Sequence, residues 1–476
     1  MKSYKRCIMI LADGSRPDVF EKLLHDGQMP HCEALFKKEG RFAPATSVFP
    51  STTGPAYLPF LTGCYPGTCN VPGIRWFDKK IYGEGKPRWQ RYRSYVGFES
   101  FLLNQDIKIK TPTLFQCFDR PVNIFSAVSK GTSFKSNQTK QSRIWHWYYA
   151  HLTDRWEFVD QAATRKLLKA MEKDFDFAFV VYPGIDEFSH LSHPHSEKTF
   201  SAYHYLDKAL GEIKNKLEQK GWLEETLIVL VSDHGLSQTQ EHFGVASFLE
   251  EKKIKTFYYP KIFKWNFEAA SMVSGNGMLH LYFQDKQHLN GNAGWLARSS
   301  FETLEKQRGP LLQDLLAQPA IDILASEGED ASIWVLSKRG RAKIKWQENH
   351  IRYEVLGRDP FGYAALPTVM NKQQALDFTF HSDYPDALLQ LCQIFRSSRT
   401  GDWVVSAAKG WDLRKRFEHP EHKSTHGALH KEHMLIPFYT NAPLPNKPVR
   451  SVDVFPSVLK LMGKEIPLGL DGEVFF

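Results

Sequence analysis

Six cysteines in 476 residues are too few and too irregularly spaced for a disulfide framework; only Cys64 and Cys69 stand near each other. They read as reduced, mostly buried thiols, which points to the cytoplasm. No apolar run approaches the roughly 20 residues that a membrane-spanning helix needs. The apolar run before Asp13 is about six residues, shorter than the core of a secretory signal. The chain has no internal repeat, no low-complexity tract, and no zinc finger, basic zipper or other nucleic-acid signature. Its net charge of +8 is spread along the chain with mixed signs. That balance suits an anionic substrate and is too diffuse to argue for nucleic acid. With 42% hydrophobic residues, the chain can bury a large core, and its length allows two or three domains.

What is present is a set of short segments that run into acids or imidazoles. They are Ile8-Met-Ile-Leu-Ala-Asp13, Phe177-Ala-Phe-Val-Val-Tyr-Pro-Gly-Ile-Asp186, Leu227-Ile-Val-Leu-Val-Ser-Asp-His234 and, less cleanly, Ser424-Thr-His426. The first and third read as buried parallel strands, and ligands in such folds gather at the carboxyl ends of the strands. A further stretch, Phe49-Pro-Ser-Thr-Thr-Gly-Pro55, sets three hydroxyls before a helix opening at Gly54-Pro55. Proline suits a first helical turn, and free N–H groups with the positive dipole end favour an anion there. Alone, such a hydroxyl is an ordinary helix cap. Three aspartates, three histidines and a hydroxyl at strand ends together read as a metal site.

Between these segments the pattern predicts a strand over 5–13, a helix over 19–38, a strand over 122–128 and a helix over 196–219. Residues 79–150 are rich in Tyr, Trp, Arg and Lys and are expected beside the site mouth, with a solvated surface as the plainer account of the charges. Residues 245–410 are too long for a connection inside one sheet. They carry strand-like runs at 278–283, 320–325, 332–337, 343–346 and 351–355, with Lys338-Arg-Gly-Arg341 as a basic hairpin turn.

The ordered motifs Asp13-Gly-Ser-Arg16, Phe49-Pro-Ser-Thr-Thr53, Asp186-Glu-Phe-Ser-His190, Ser232-Asp-His-Gly235 and Thr425-His-Gly427 resemble those of the alkaline phosphatase superfamily. Within it, the chain resembles the type I phosphodiesterase/nucleotide pyrophosphatase branch, and Val452–Gly472 resembles that family's closing helix and strand. The resemblance implies an α/β fold: an α/β/α sandwich with a mostly parallel central sheet and an inserted cap subdomain. The catalytic core is expected over residues 1–244 and 411–476, with a site-mouth insert at about 66–110. The cap is expected over 245–410, partly returning to the core sheet.

The resemblance also implies a chemistry. Asp186, His190 and His426 would hold one zinc ion; Asp13, Asp233, His234 and the Thr53 hydroxyl would hold the other. Zinc takes such oxygen and nitrogen donors and keeps a position open when catalytic. Three carboxylates against two divalent ions leave one positive charge, which a Thr53 alkoxide would neutralise. On physical grounds Ser51, Thr52 and Thr53 are all candidates for the attacking group; the family pattern selects Thr53. The implied activity is hydrolysis of a small phosphoric ester, a diester or pyrophosphate, through a phosphothreonine intermediate. A phosphomonoesterase, a phosphonate hydrolase and a phosphoryl transferase are alternatives on the same site; a non-hydrolytic metal-stabilised binding protein is the alternative of another class. The chain departs from the family pattern at Ala56, where many relatives carry an Asn that hydrogen-bonds a phosphoryl oxygen, at Cys69-Asn70, and at Ser189. His193 and His195, just past His190, are candidates for contacts around the metal or for plain surface histidines.

Overall fold

The computed structural model describes residues 4–36, 45–285, 293–295, 297–416 and 421–475. Four uninterrupted apolar runs form parallel strands: β1 (Arg6–Ala12), β2 (Pro121–Ile124), β3 (Phe177–Tyr182) and β4 (Thr226–Val231). Every residue of β1, β3 and β4 is buried, as expected of strands covered on both faces. The order across the sheet is β4, β1, β3, β2, and Phe438–Thr440 pairs antiparallel to the outer edge of β4. Ala12 lies opposite Tyr182, and Leu11 lies opposite Val231. The chain therefore leaves β1, β3 and β4 at one level, and Asp13, Asp186 and Asp233 follow at the same edge.

Helices pack on this sheet. The helix Glu197–Gln219 buries Tyr203, Leu206, Leu210, Ile213 and Leu217, the stripe read from its periodicity, and Ser196 caps it by accepting from the Thr199 N–H. The helix expected over 19–38 is two helices, Pro17–His25 and Pro30–Phe36. Gly27, at φ +69°, closes the first, and Pro30 opens the second. The strand expected over 122–128 stops at Ile124, because Phe125 turns to φ +64°.

Residues 256–407 build a second sheet of nine strands. Its central meander, Ile321–Glu327, Ile333–Leu336, Arg341–Gln347 and His350–Val355, is antiparallel with neighbours in sequence order. The basic turn joins its second and third strands, and Arg339 is tied to Asp322 at 2.8 Å. All nine strands pair with one another, and none joins the parallel sheet. The segment thus contributes a sheet of its own, with no returning strand among the described residues. Leu304, Leu312 and Leu315 of the helix Phe301–Leu316 join the apolar core beneath it. No described helix is long and apolar enough to cross a membrane.

Two buried ion pairs fasten the parts together. Arg450, near the C-terminus, grips Asp386 with Nη2 at 2.6 Å and Nε at 2.8 Å. Lys79, in the segment after Thr53, meets Asp402 at 2.9 and 3.0 Å. Asp402 also accepts from the backbone N–H groups of Phe283 and Ser299. Burial pulls Lys79 below its ordinary pKa, against the attraction of Asp402. Removing one partner of such a pair strands the other charge without water. Asp402→Ala is expected to cost about 3–5 kcal/mol of stability, measured as a shifted midpoint in chemical denaturation.

Candidate active site

The three strand ends supply the acids by different routes. Asp13 follows β1 directly. Asp233 follows β4 by one residue, and Gly14 N–H donates to its Oδ1 at 3.3 Å. Asp186 stands in the first turn of the helix Gly184–Leu191, whose first N–H donates to Asp160 Oδ1 at 3.2 Å. Four residues on, the same helix face presents His190, with Nε2 3.4 Å from Asp186 Oδ2. Gly14 is required between the acids. Its φ is +69°, and a Cβ there would come within 2.8 Å of the Asp186 backbone.

His234 follows Asp233, and His426 arrives from the two-residue strand Ser424–Thr425. The His234 and His426 rings stack at 3.9 Å, and His190 lies 5.2 Å from His426. One feature is common to all three. His190 Nδ1 is 2.8 Å from the Ser424 carbonyl, His234 Nδ1 is 3.1 Å from that of Gly235, and His426 Nδ1 is 3.2 Å from that of Ser51. A carbonyl can only accept, so each Nδ1 carries a proton and Nε2 is the nitrogen left to face a metal; Asp186, against the effect of burial, raises His190 to about 9, so its Nε2 holds a proton that a metal would displace.

The three adjacent hydroxyls differ sharply. Ser51 and Thr52 are fully buried, and Ser51 Oγ donates to the Ala428 carbonyl at 2.9 Å. Thr53 alone is partly exposed, with Oγ1 3.3 Å from Asp13 Oδ1 and 3.1 Å from His234 Nε2. The helix after it is a single tight turn, Pro55–Tyr57, followed by Leu58–Thr62.

Charge makes the case for a cation. Burial and the neighbouring Asp186 push Asp13 up to about 7. Asp233 is driven well above the carboxylate range by burial, with Asp13 and Asp186 adding to it. Burial also opposes ionisation of Asp186, but the imidazoles, His190 foremost, outweigh it and hold that carboxyl low. Burial brings His234 down to about 4 and keeps it neutral. Neutral His234 turns a lone pair toward Asp233 Oδ2 at 3.2 Å and Asp13 Oδ1 at 3.5 Å. Once those carboxyls ionise, acceptor faces acceptor, and a cation between them relieves the repulsion. Asp186 Oδ1 and Asp233 Oδ2 are buried without a hydrogen-bond partner, and a buried oxygen in that state calls for one. Two groups have donor atoms within 4.8 Å of one another: Asp186, His190 and His426, and Asp13, Asp186 and His234. Asp186 belongs to both.

All seven residues singled out from the sequence therefore meet in one place. His193 and His195 do not join them: His195 is exposed and lies within electrostatic reach of Arg16 and Asp18. Ala56 is buried in an apolar cluster with Val48 and Phe49 and offers no donor. Ser189 spends its hydroxyl on the Ile185 carbonyl within its own helix. Two neighbours escaped the sequence reading. Tyr57 O–H donates to Asp13 Oδ2, and the His422 ring lies 4.2 Å from His190. The four-residue spacing from Thr53 to Tyr57 and from His422 to His426 was the available signal.

Fold and site together define a protein of alkaline phosphatase-like fold whose buried acids and imidazoles are grouped within reach of a common metal ion. The chain belongs to the type I phosphodiesterase / nucleotide pyrophosphatase family, whose model matches residues 7–429. Among solved structures it is similar to the alkaline phosphatase PafA, in a mutant form, at 14% identity and a TM-score of 0.62, covering 99% of this chain and 98% of that one. It is similar to phosphonoacetate hydrolase from Sinorhizobium meliloti at 15% identity and a TM-score of 0.56, covering 95% of each chain. Murine ectonucleotide pyrophosphatase / phosphodiesterase 5 matches at 13% identity and a TM-score of 0.56, covering 97% of this chain and 96% of that one. These likenesses establish the fold. Among curated proteins, GPI ethanolamine phosphate transferase 2 of Aspergillus oryzae is 32% identical over 104 residues, 22% of this chain and 12% of that protein. The catalytic subunit of the human GPI ethanolamine phosphate transferase 2 is 35% identical over 89 residues, 18% of this chain and 9% of that protein. The matches thus take in only a small part of those relatives.

Because Asp186 reaches both donor groups, Asp186→Ala is expected to lower the metal content at both positions. His190→Ala, in one group alone, should lower it at one. Elemental analysis of the purified variants distinguishes the two patterns.

Proposed function

We propose that the chain is a zinc-dependent hydrolase of phosphoric diesters or pyrophosphates that works through a phosphothreonine on Thr53. The observation that carries this reading is the solitary exposure of the Thr53 hydroxyl, between Asp13 and His234, above buried acids that require a cation. Asp186, His190 and His426 would hold one ion, and Asp13, Asp233 and His234 the other, with Asp186 close enough to serve both. When bound, two such ions lower the pKa of a coordinated hydroxyl and offset the charge that gathers on phosphoryl oxygens.

The chain's own residues do the rest. Tyr57 and Thr53 hydrogen-bond the two oxygens of Asp13 and fix the rotation of its carboxylate. The three backbone carbonyls hold the imidazoles in one tautomer. Thr53 gives up its hydroxyl proton to solvent and its Oγ1 attacks phosphorus in line; the new P–O bond forms, and the bond to the leaving group breaks on the opposite side, the departing oxygen taking a proton from solvent. Water then attacks the phosphothreonine from the vacated side and frees Thr53. The family match favours a diester over a monoester, and Arg143, within electrostatic reach of Tyr57, is an arginine beside the site. The six free thiols agree with a cytoplasmic setting.

The matches to ethanolamine phosphate transferases favour a second reading, in which an alcohol in place of water receives the phosphoryl group. Product analysis with and without an added alcohol separates the two.

Thr53→Ala is expected to abolish turnover while retaining most metal, since Asp13, Asp233 and His234 remain. Thr53→Ser should keep measurable activity. Ser51→Ala should cost about 1 kcal/mol of stability and little rate, because Ser51 spends its hydroxyl on a backbone carbonyl. Acid trapping of the phosphoenzyme and peptide mapping identify the modified residue; phosphate on Ser51 or Thr52 would refute the assignment.

A further inference from the structure

The helix Arg143–Thr153 turns its apolar stripe outward. Trp145, Tyr148, Tyr149 and Leu152 fall on one helical face, and all four are exposed, Trp145 at 74% and Leu152 at 83%. The opposite face holds the helix down. Ala150 is buried, Trp147 packs on Phe125 and Trp156, and His146 stacks on Phe158. A helix ordinarily buries such a stripe, so this one lacks its partner within the chain.

The exposed apolar surface runs on beyond the helix. Phe98 sets its ring 5.8 Å from Tyr148, and both Phe98 and Phe101 are exposed in the short helix Gly97–Leu102. Glu99 of that helix accepts from the Tyr259 hydroxyl at 3.3 Å, which ties on the loop that carries the exposed Phe263 and Trp265. The Arg88 guanidinium lies 4.2 Å over the Phe263 ring, next in sequence to the exposed Trp89. A chain of contacts thus joins exposed aromatic rings from Trp89 and Phe263 through Phe98 to the stripe. Single exposed rings are ordinary on a protein surface, but a connected set marks an interaction site.

Charge is as uneven as polarity. Residues 86–155 carry twelve Lys and Arg against four Asp and Glu, while the whole chain carries 61 against 53. The positive excess that reads as diffuse over the full length therefore falls in this segment. Part of it is met by acids: Arg93 pairs with Asp106, Arg120 with Asp174 and Asp176, and Arg155 with Glu157. Asp119 and Asp154 are exposed acids of the same segment, and Glu99 also accepts from the Ser94 N–H. Lys86, Lys135 and Lys140 are exposed and have no acidic partner among the described residues. Lys135 follows the exposed Phe134, and Lys140 stands three residues before the helix.

Aromatic rings interleaved with lysines suit the boundary between lipid headgroups and acyl chains, with rings in the boundary and ammonium groups on anionic headgroups. Eleven residues make the helix about 16 Å long, too short to span a bilayer and fit to lie in its plane. A second copy docked face to face would instead set like charges against one another.

We propose that the surface formed by residues 86–101 and the helix Arg143–Thr153 docks this chain on an anionic lipid bilayer. Trp145 and Leu152 enter the boundary, and Lys135 and Lys140 rest on the headgroups. The helix packs on Glu157–Ala170, whose Asp160 accepts from the first N–H of the helix bearing Asp186 and His190, so the docked face lies one helix away from the site. The docking stands independently of the proposed activity.

The test is co-sedimentation of the full chain with vesicles of phosphatidylcholine alone and with about one third phosphatidylglycerol. Binding to the anionic vesicles is expected to be at least about tenfold tighter, and to weaken as salt rises. Trp145→Ser with Leu152→Ser should lower that binding about tenfold or more, with an unchanged melting midpoint because both side chains are exposed. Lys135→Gln with Lys140→Gln should remove most of the preference for anionic vesicles. Leu468→Ser, exposed elsewhere on the molecule, should bind as the wild type does. Brominated acyl chains should quench tryptophan emission in the wild type, and less so in Trp145→Phe. Failure to bind either vesicle, equal binding to both, or binding that survives in the Trp145 and Leu152 variant would overturn the proposal. So would a dimer in solution that this variant abolishes and vesicles do not compete with.

Discussion

Everything at the centre of this protein answers to the mutual repulsion of three buried carboxylates. Asp13, Asp186 and Asp233 are brought within reach of one another by three neighbouring parallel strands, in surroundings where an unpaired charge is expensive. A chain that relieved this by pairing them with lysine or arginine would be more stable and would have no site. Here the neutralising partners are imidazoles, two of which burial keeps uncharged. The result is a constellation of acceptors that is complete only with cations. Stability and reactivity are set against each other at the same six side chains.

Such a constellation needs scaffolding that costs little space. Gly14 lets the Asp13 turn pass so close to Asp186 that an added Cβ would come within 2.8 Å of its Cα. Backbone carbonyls orient the three imidazoles, so that no further titratable group has to be buried for the purpose. The buried pairs Lys79–Asp402 and Arg450–Asp386 involve none of the candidate metal ligands and lie in contacts between the second sheet and the segments that flank it.

Much of this was legible in the sequence because strand periodicity and terminal acids are local signals. The runs around Asp13 and Asp233 needed only their own residues to be read as buried strands, and the meander of 321–355 announced itself by alternation and a basic turn. What escaped was non-local or hinged on one dihedral. A run of apolar residues over 19–38 does not disclose that Gly27 and Pro30 split it into two helices. Nor does it disclose that residues 256–407 close a sheet wholly among themselves. The choice among Ser51, Thr52 and Thr53 came from a family pattern, because three adjacent hydroxyls look alike until burial separates them. Tyr57 offers only its four-residue spacing from Thr53, because an apolar position in a short helix does not by itself show that its hydroxyl faces an acid.

His426 reaches the site on a two-residue strand that leans on the Gly275 turn, and its nearest partner His234 lies far back along the chain. The donor set around Asp186 therefore closes across more than four hundred residues, from Asp13 to His426. Such long-range closure comes late, after the local strands and hairpins have formed. During synthesis the first two acids emerge from the ribosome long before the last imidazole exists. For most of its biosynthesis the nascent chain holds an incomplete donor set, and the proposed metal site is complete only in the final act of folding.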